Sequence, residues 1–347
     1  MILRCLPALL LLAVLRPAYA DNPYGLMLWP DHGRSLSIVA AEAVALGVAW
    51  FRPPAQFVDR IAADPRCTDC RDLQRLPLSL VVTLRNGGRD SLPRRPSGPP
   101  QDIAAYKRAV GTLLDTWHPA ILVVENEENE PASYTDGLST MVWDSGGKTA
   151  EAYGRELAAA CEVAHARGVA CANGGLSSEA AAAVAWFAQF DQSQAAACAF
   201  AKLAFYTERD PNAGTALCAY RTAAEVPATT RAAMLRNSEA LIAVYRSAPI
   251  DFVNFHWYGR DAVALAKTVD ALHAATGKPV MSNEMGLHPW DADPSNIRPL
   301  LRAALAMRMK TAIWFSVDTA TAISLFDTDS RLRPIGQEFA HQVSGLK

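Results

Sequence analysis

The chain has 347 residues, half of them apolar, with a formal charge of −2 and eight tryptophans. That length supports a large core and a single barrel-sized domain. Near-balanced charge argues against nucleic acid or an anionic membrane as the main partner.

The N-terminus reads as a processing signal. Arg4 supplies the positive end, "LPALLLLAVL" the apolar stretch, and Ala18-Tyr19-Ala20 the small-x-small cleavage site. This predicts a secretory signal peptide over residues 1–20, removed before Asp21. The apolar stretch is short for a membrane span, and Cys5 precedes it rather than marking the cleavage point. The expected organisation is one catalytic domain over 21–347, secreted or periplasmic, with no membrane association after cleavage.

Strand-like runs then alternate with helix-like stretches. The strands read as Gly25–Trp29, Gly47–Arg52, Leu78–Leu84, Ile121–Glu125, Val169–Asn173, Phe252–Tyr258, Val280–Glu284 and Ala312–Val317. Between them lie Ala-rich amphipathic segments: Ser35–Leu46, Ile103–Trp117, Thr149–Arg167, Ala232–Arg246, Ala262–Thr276 and Ile297–Met309. Gly47, Gly168 and Gly277 follow helix-like stretches, as left-handed caps do. Eight β-then-α units with no room for another domain predict an α/β fold, a (β/α)8 TIM barrel. Two stretches break the rhythm. Residues 85–101 form a Gly/Pro/Arg-rich loop after strand 3. Residues 175–249, between strands 5 and 6, are too long for one helix and read as an insertion over the barrel top, where such insertions shape clefts.

Removing Cys5 leaves six cysteines, an even number suited to an oxidising compartment. Sequence leaves their connectivity open; neighbour pairing gives Cys67–Cys70, Cys161–Cys171 and Cys198–Cys218. The "CTDC" motif could instead be a redox or zinc motif. It stands alone, without a second Cys pair or His-x-x-x-His, which favours a structural disulfide.

Chemistry concentrates at two strand tips. "AILVVENEENEP" (120–131) and "KPVMSNEMG" (278–286) are apolar runs that stop on Asn126-Glu127 and Asn283-Glu284. A run buried on both faces suits a parallel strand. Two carboxylates on such rigid tips are what glycosidic-bond hydrolysis needs, one as acid and one as base or nucleophile. Acidic runs are usually solvated loops, but this one directly follows "AILVV". Glu127 lies closer to the apolar run; Glu130, in Asn129-Glu130-Pro131, is the alternative. On strand 6 the alternation places Asn254, His256 and Tyr258 on one face.

Taken together, Asn126-Glu127, Glu284, "LGVAWFR" at strand 2, "NFHWYG" at strand 6 and "AIWFSVD" at strand 8 resemble the clan A retaining glycoside hydrolases, the cellulase-like and β-galactosidase-like barrels. Each motif is short, but the five fall in the right order over nearly all the mature chain. The resemblance implies a secreted retaining glycoside hydrolase, an O-glycosyl hydrolase that cleaves β-linked saccharides by double displacement. It implies Glu127 as acid/base, Glu284 as nucleophile, Asn126 on the sugar 2-hydroxyl, and Arg52 beside Glu284, keeping it ionised. Tyr258 would hydrogen-bond the nucleophile, His256 would line the same pocket, and Trp314 would floor the sugar ring. Barrel core is the competing reading of Trp314.

One departure stands out. Many clan members place a His or aromatic residue in the pocket after strand 3, whereas this chain has Arg85-Asn86-Gly87-Gly88. The remaining histidines lack metal-ligand spacing, so no metal or other cofactor is expected. No Gly-x-Ser-x-Gly elbow or Gly-x-Gly-x-x-Gly turn points to a serine hydrolase or a dinucleotide enzyme. The expected partner is an oligo- or polysaccharide substrate, with no nucleic acid. The alternative is a catalytically inactive barrel that binds carbohydrate or a protein partner; only the enzyme requires the two carboxylates close together.

Overall fold

The computed structural model describes residues 22–27, 35–63, 67–87, 97–135, 148–315, 323–327 and 329–346. The expected signal peptide and its cleavage site therefore lie outside the described residues. So do Leu28 and Trp29 of the first predicted strand, Ser316 and Val317 of the last, and most of the loop after strand 3.

The eight barrel strands are Tyr24–Met27, Trp50–Arg52, Ser79–Arg85, Ile121–Val124, Ala170–Asn173, Val253–Trp257, Val280–Met285 and Ala312–Trp314. All pair in parallel, with the first strand between the second and the eighth. Isolated parallel bridges Ala172↔Phe252 and Leu176↔Phe255 close the circle between fifth and sixth strands. A two-residue strand, Gln56–Phe57, pairs with the third strand off this path. The molecule is a (β/α)8 barrel, as the alternation of elements predicts.

Burial explains why these runs become strands. "ILVV" of the fourth strand is buried throughout, as expected for a strand covered on both faces. Alternate side chains feed two cores. Met27, Trp50, Val81, Ile121, Val123, Ala172, Met281 and Ile313 fill the barrel interior. The larger cluster, including Leu26, Phe51, Val82, Leu122 and Trp314, packs the sheet against the helices.

Helix ends follow local chemistry. Asp102 Oδ1 accepts from Ala105 N at 2.9 Å, and Asp261 Oδ1 accepts from Val263 N and Ala264 N at 2.8 Å. Each satisfies donors that the first helical turn leaves open. Gly47 and Gly277 cap the helices Leu36–Leu46 and Ala262–Thr276 at φ of 82° and 72°, a region closed to most residues with a Cβ.

The insertion is helical. It comprises Ser178–Gln189, Gln194–Ala204, two 3₁₀ turns, Ala228–Leu235 and Ser238–Ser247. The single helix predicted over Ala232–Arg246 is thus two. Arg236 and Asn237 break it with φ of 43° and 67°; their side chains bond the loop after the fourth strand. The disulfides Cys67–Cys70, Cys161–Cys171 and Cys198–Cys218 are present as neighbour pairing predicts. Among the described residues no helix is long and apolar enough to cross a membrane.

Candidate active site

The inward-facing rows change character toward the strand C-termini. Two residues beyond Trp50, Val81 and Met281, which pack the interior, stand Arg52, Thr83 and Asn283, all buried and polar. Such groups need partners to remain buried, and each supplies them to its neighbours.

Arg52 is the hub. Its Nη1 donates to Glu284 Oε2 at 2.6 Å and to the Asn283 carbonyl at 3.0 Å. Nη2 donates to Asn126 Oδ1 at 2.8 Å, and Nε to Thr83 Oγ1 at 3.2 Å. One planar guanidinium thereby ties the tip of the fourth strand to the tip of the seventh. Tyr258 completes the shell by donating its hydroxyl to Glu284 Oε1 at 2.5 Å.

The seventh strand reaches this site through an irregularity. His256 pairs with Glu284, while two residues earlier Asn254 pairs with Met281. The seventh strand therefore carries one extra residue there, and its register with the eighth strand shifts over the same stretch. A bulge re-aims side chains, so consecutive Asn283 and Glu284 both contribute to the barrel mouth.

The amides fix the histidine. Asn254 Oδ1 accepts from Asn283 N at 3.0 Å, and Asn254 Nδ2 donates to the Asn173 carbonyl at 3.2 Å. With that orientation set, Asn254 Nδ2 donates to Asn283 Oδ1 at 2.8 Å, which also lies 3.1 Å from His256 Nε2. That oxygen can only accept, so His256 Nε2 carries a hydrogen. Nδ1 then faces Glu127 Oε1 at 3.0 Å, and this contact holds one proton between ring and carboxylate.

Electrostatics follow from these contacts. Burial alone would raise the Glu284 carboxyl, but His256, Arg52 and Tyr258 together hold it below the usual range. Burial alone would lower His256, but Glu284 and Glu127 outweigh it and raise the imidazole above its usual range. Opposite charges stabilise each other's ionised forms.

Glu127 sits in the left-handed region at φ 46°, two residues after Glu125 at φ 72°. Backbone of that kind is uncommon outside glycine and concentrates at functional sites. The four acids of the run separate cleanly. Glu125 is fully buried and accepts from Asn86 N at 2.6 Å. Glu128 is fully buried and accepts from Asn173 Nδ2 at 2.8 Å and from Tyr245. Glu130 is bound by Ser177 Oγ at 2.6 Å and Arg236 Nη1 at 2.8 Å. Only Glu127 of the four joins His256 and Glu284, with one ligating atom of each residue within 4.8 Å of the others.

That trio has the residue types of a cation site. Its donor atoms are already engaged, however, with a guanidinium directly on Glu284 and a phenol on its second oxygen. The set fits proton sharing better than cation coordination.

Six of the seven residues singled out from sequence thus meet in one cluster: Arg52, Asn126, Glu127, His256, Tyr258 and Glu284. Trp314 does not. It is fully buried and packs edge-on against Phe339 at 6.0 Å, in the layer between sheet and helices. Alternation sends Ile313 inward and its neighbour Trp314 outward. Trp314 is core, and the expectation that it floors a sugar pocket is corrected. The neighbouring Phe315 instead meets Tyr258 at 5.8 Å.

Sequence reasoning passed over several supports. Asn173, Gly174 and Gly175 end the fifth strand under the site. A Cβ on Gly174 would lie 2.6 Å from Glu128 Oε2, and one on Gly175, at φ 110°, 2.6 Å from His256 Nε2. The Asn-Gly-Gly string at a strand end was the available signal. Arg85 and Asn86, the departure after strand 3, brace the turn below Glu127. Arg85 Nη2 donates to the Ser133 carbonyl at 3.0 Å, and its Nε lies 3.7 Å from Glu125.

A family model described as "Glycosyl hydrolase catalytic core" matches residues 234–339, which include the sixth, seventh and eighth strands. No curated protein sequence matches the chain. Among solved structures, a hyperthermophilic β-glucosidase from Pyrococcus furiosus superimposes with a TM-score of 0.57 at 10% identity, covering 90% of this chain and 84% of that one. An endo-1,4-β-mannanase from Rhizomucor miehei gives 0.56 at 11% identity, covering 94% and 95%. A GH5_18 protein from Streptomyces cattleya, solved in complex with GlcNAc, gives 0.56 at 16% identity, covering 94% and 81%. In fold and in its catalytic-core pattern, the chain resembles the clan A glycoside hydrolases.

Proposed function

We propose that this chain is a retaining glycoside hydrolase that cleaves β-linked saccharides by double displacement. One observation carries the reading: carboxylate oxygens of Glu127 and Glu284 lie within 4.8 Å of each other at the tips of the fourth and seventh strands of one barrel. Retaining enzymes hold their carboxyl groups about 5–5.5 Å apart, whereas inverting ones need roughly 6.5–9.5 Å to admit a water.

The roles follow from the environments. Glu284, paired with Arg52 and Tyr258 and held ionised, attacks the anomeric carbon. The bond to the leaving oxygen breaks, and Glu127 gives that oxygen its proton. Glu284's charge is consumed in the new glycosyl ester, so Glu127 then meets less repulsion as an anion. It takes a proton from water, which attacks the anomeric carbon and releases Glu284. His256, bonded to Glu127 through Nδ1, orients that carboxyl through both steps. Asn126 has its Oδ1 occupied by Arg52, which leaves Nδ2 to donate to the sugar 2-hydroxyl.

Secretion belongs to the same reading. Residues 1–20 carry the signal-peptide pattern, and three disulfides suit an oxidising compartment. The test is a screen of aryl glycosides and β-linked polysaccharides with purified mature protein beside Glu284→Gln. Turnover that disappears in the variant supports the proposal. Binding of saccharide with no turnover on any of them would favour the silent binding barrel.

A further inference from the structure

Trp290 is the only aromatic among the exposed large apolar side chains of the described residues, at 39% exposure. It does not project alone. Its ring stacks on His288 at 4.9 Å with planes 9° apart, and His288 stacks in turn on Tyr258 at 6.0 Å and 28°. Tyr258 is the residue bonded to Glu284. A continuous pile of three rings therefore runs from the carboxylate pair outward to solvent.

The pile is buttressed from the insertion. Tyr206 meets Trp290 edge-on at 5.6 Å and His288 at 6.4 Å. Its hydroxyl accepts from Arg260 N at 2.7 Å, and the Arg260 guanidinium lies 4.2 Å over its ring. Arg260 also reaches Asp291 Oδ1 at 3.4 Å. The Cys198–Cys218 disulfide brackets Tyr206 in sequence and ties its segment down. Burial lowers the His288 imidazole, which favours its neutral form in the stack.

We infer that Trp290, set on His288 and flanked by Arg260 and Asp291, is a saccharide-binding platform outside the carboxylate pair. It takes a pyranose ring of an extended oligo- or polysaccharide. A flat aromatic face offers the apolar C–H side of a sugar ring a surface to cover. The partly exposed Arg260 guanidinium, held by the mostly buried Asp291 carboxylate, suits the hydroxyls at the ring's edge. Because the rings are already stacked, little ordering opposes binding. The inference rests on the hydrolase reading only for what lies at the inner end of the platform.

The test measures binding and turnover separately. Binding of β-1,3- and β-1,4-linked glucose and mannose tetrasaccharides is titrated by calorimetry in Glu284→Gln, with and without Trp290→Ala. Trp290→Ala should weaken the best tetrasaccharide about tenfold, equivalent to about 1.4 kcal/mol. Trp290→Phe should restore most of the loss. With Glu284 intact, the loss in kcat/KM from Trp290→Ala should be larger on the tetrasaccharide than on an aryl monoglycoside of the same sugar. Equal losses on both, or no loss of tetrasaccharide affinity, would overturn the platform, as would no binding of any tetrasaccharide. A protein that turns over nothing but binds tetrasaccharide through Trp290 would sink the hydrolase and keep the platform.

Discussion

Replacing Arg52 with Met should expose how far one guanidinium holds this site together. Arg52 is 4% exposed and donates to Glu284, Asn126, Thr83 and the Asn283 carbonyl. Met fills similar space but leaves Glu284 buried with one fewer countercharge. Breaking a buried pair from one side costs about 3–5 kcal/mol. At roughly 2–4 °C per kcal/mol for a large domain, the melting temperature should fall by roughly 10 °C near neutral pH. The pH dependence has a fixed sign. The folded Glu284 carboxyl lies below its ordinary value. Its contribution is therefore present above the unfolded carboxyl range, about 4.3, and is lost as pH falls through the folded value. The gap between wild type and Arg52→Met should thus be widest at neutral pH and narrow on acidification. Arg52→Lys keeps the charge but has one nitrogen in place of a fork, so it should recover stability without recovering the tether to Asn126. Thermal melts of the three proteins over a pH series decide this. Equal melting temperatures for wild type and Arg52→Met, or a gap that does not change with pH, would refute the reasoning.

Three further outcomes follow from the geometry. Gly175→Ala places a Cβ 2.6 Å from His256 Nε2 and 3.0 Å from Asn254 Nδ2 at φ 110°; strain of about 1–3 kcal/mol should lower the melting temperature and kcat together, and wild-type kcat would contradict the packing described. Trp314→Ala should cost about 3–5 kcal/mol in denaturant unfolding while leaving KM unchanged, since Trp314 packs on Phe339 outside the barrel lumen. Glu130→Gln weakens a partly exposed pair with Arg236 and should cost no more than about 1 kcal/mol with turnover kept, whereas Glu127→Gln should lose turnover on substrates with poor leaving groups. The reverse pattern would move the acid/base to Glu130.

The barrel was legible because each strand is an apolar run and the helices between them carry clear caps. Strand order followed, since parallel neighbours joined through helices leave few alternatives. His256 and Tyr258 could be read because alternation puts them on one face of the sixth strand, and Arg52 and Glu284 because each ends an apolar run at a strand tip that resembles the clan's. Trp314 misled for the same reason. Its distance from the strand end was legible, but the face it occupies depends on register with the first and seventh strands. The bulge at Asn283–Glu284 and the left-handed Glu125 and Glu127 leave no periodic trace, because each is imposed by neighbours distant in sequence. Arg236 and Asn237 were hidden similarly. Asn237-Ser238-Glu239 in "MLRNSEAL" is only a weak cap signal, and it is the bonds of Arg236 and Asn237 to Glu130 and the Asn129 carbonyl that hold the backbone out of the helix. The His288–Trp290 stack depends on a loop meeting Tyr206 from the insertion, a contact that no local pattern encodes.

The central claim is that Glu284 forms the bond to sugar while Glu127 moves the proton, and azide tests it most directly. On an aryl glycoside that the wild type hydrolyses, Glu284→Ala should be inactive until azide is added. It should then give a glycosyl azide of inverted configuration by NMR, because azide attacks from the face the carboxylate vacated. Glu127→Ala with azide should give the retained product, since the intermediate on Glu284 still forms. A retained azide product from Glu284→Ala, or hydrolysis by that variant at the wild-type rate, would contradict the account.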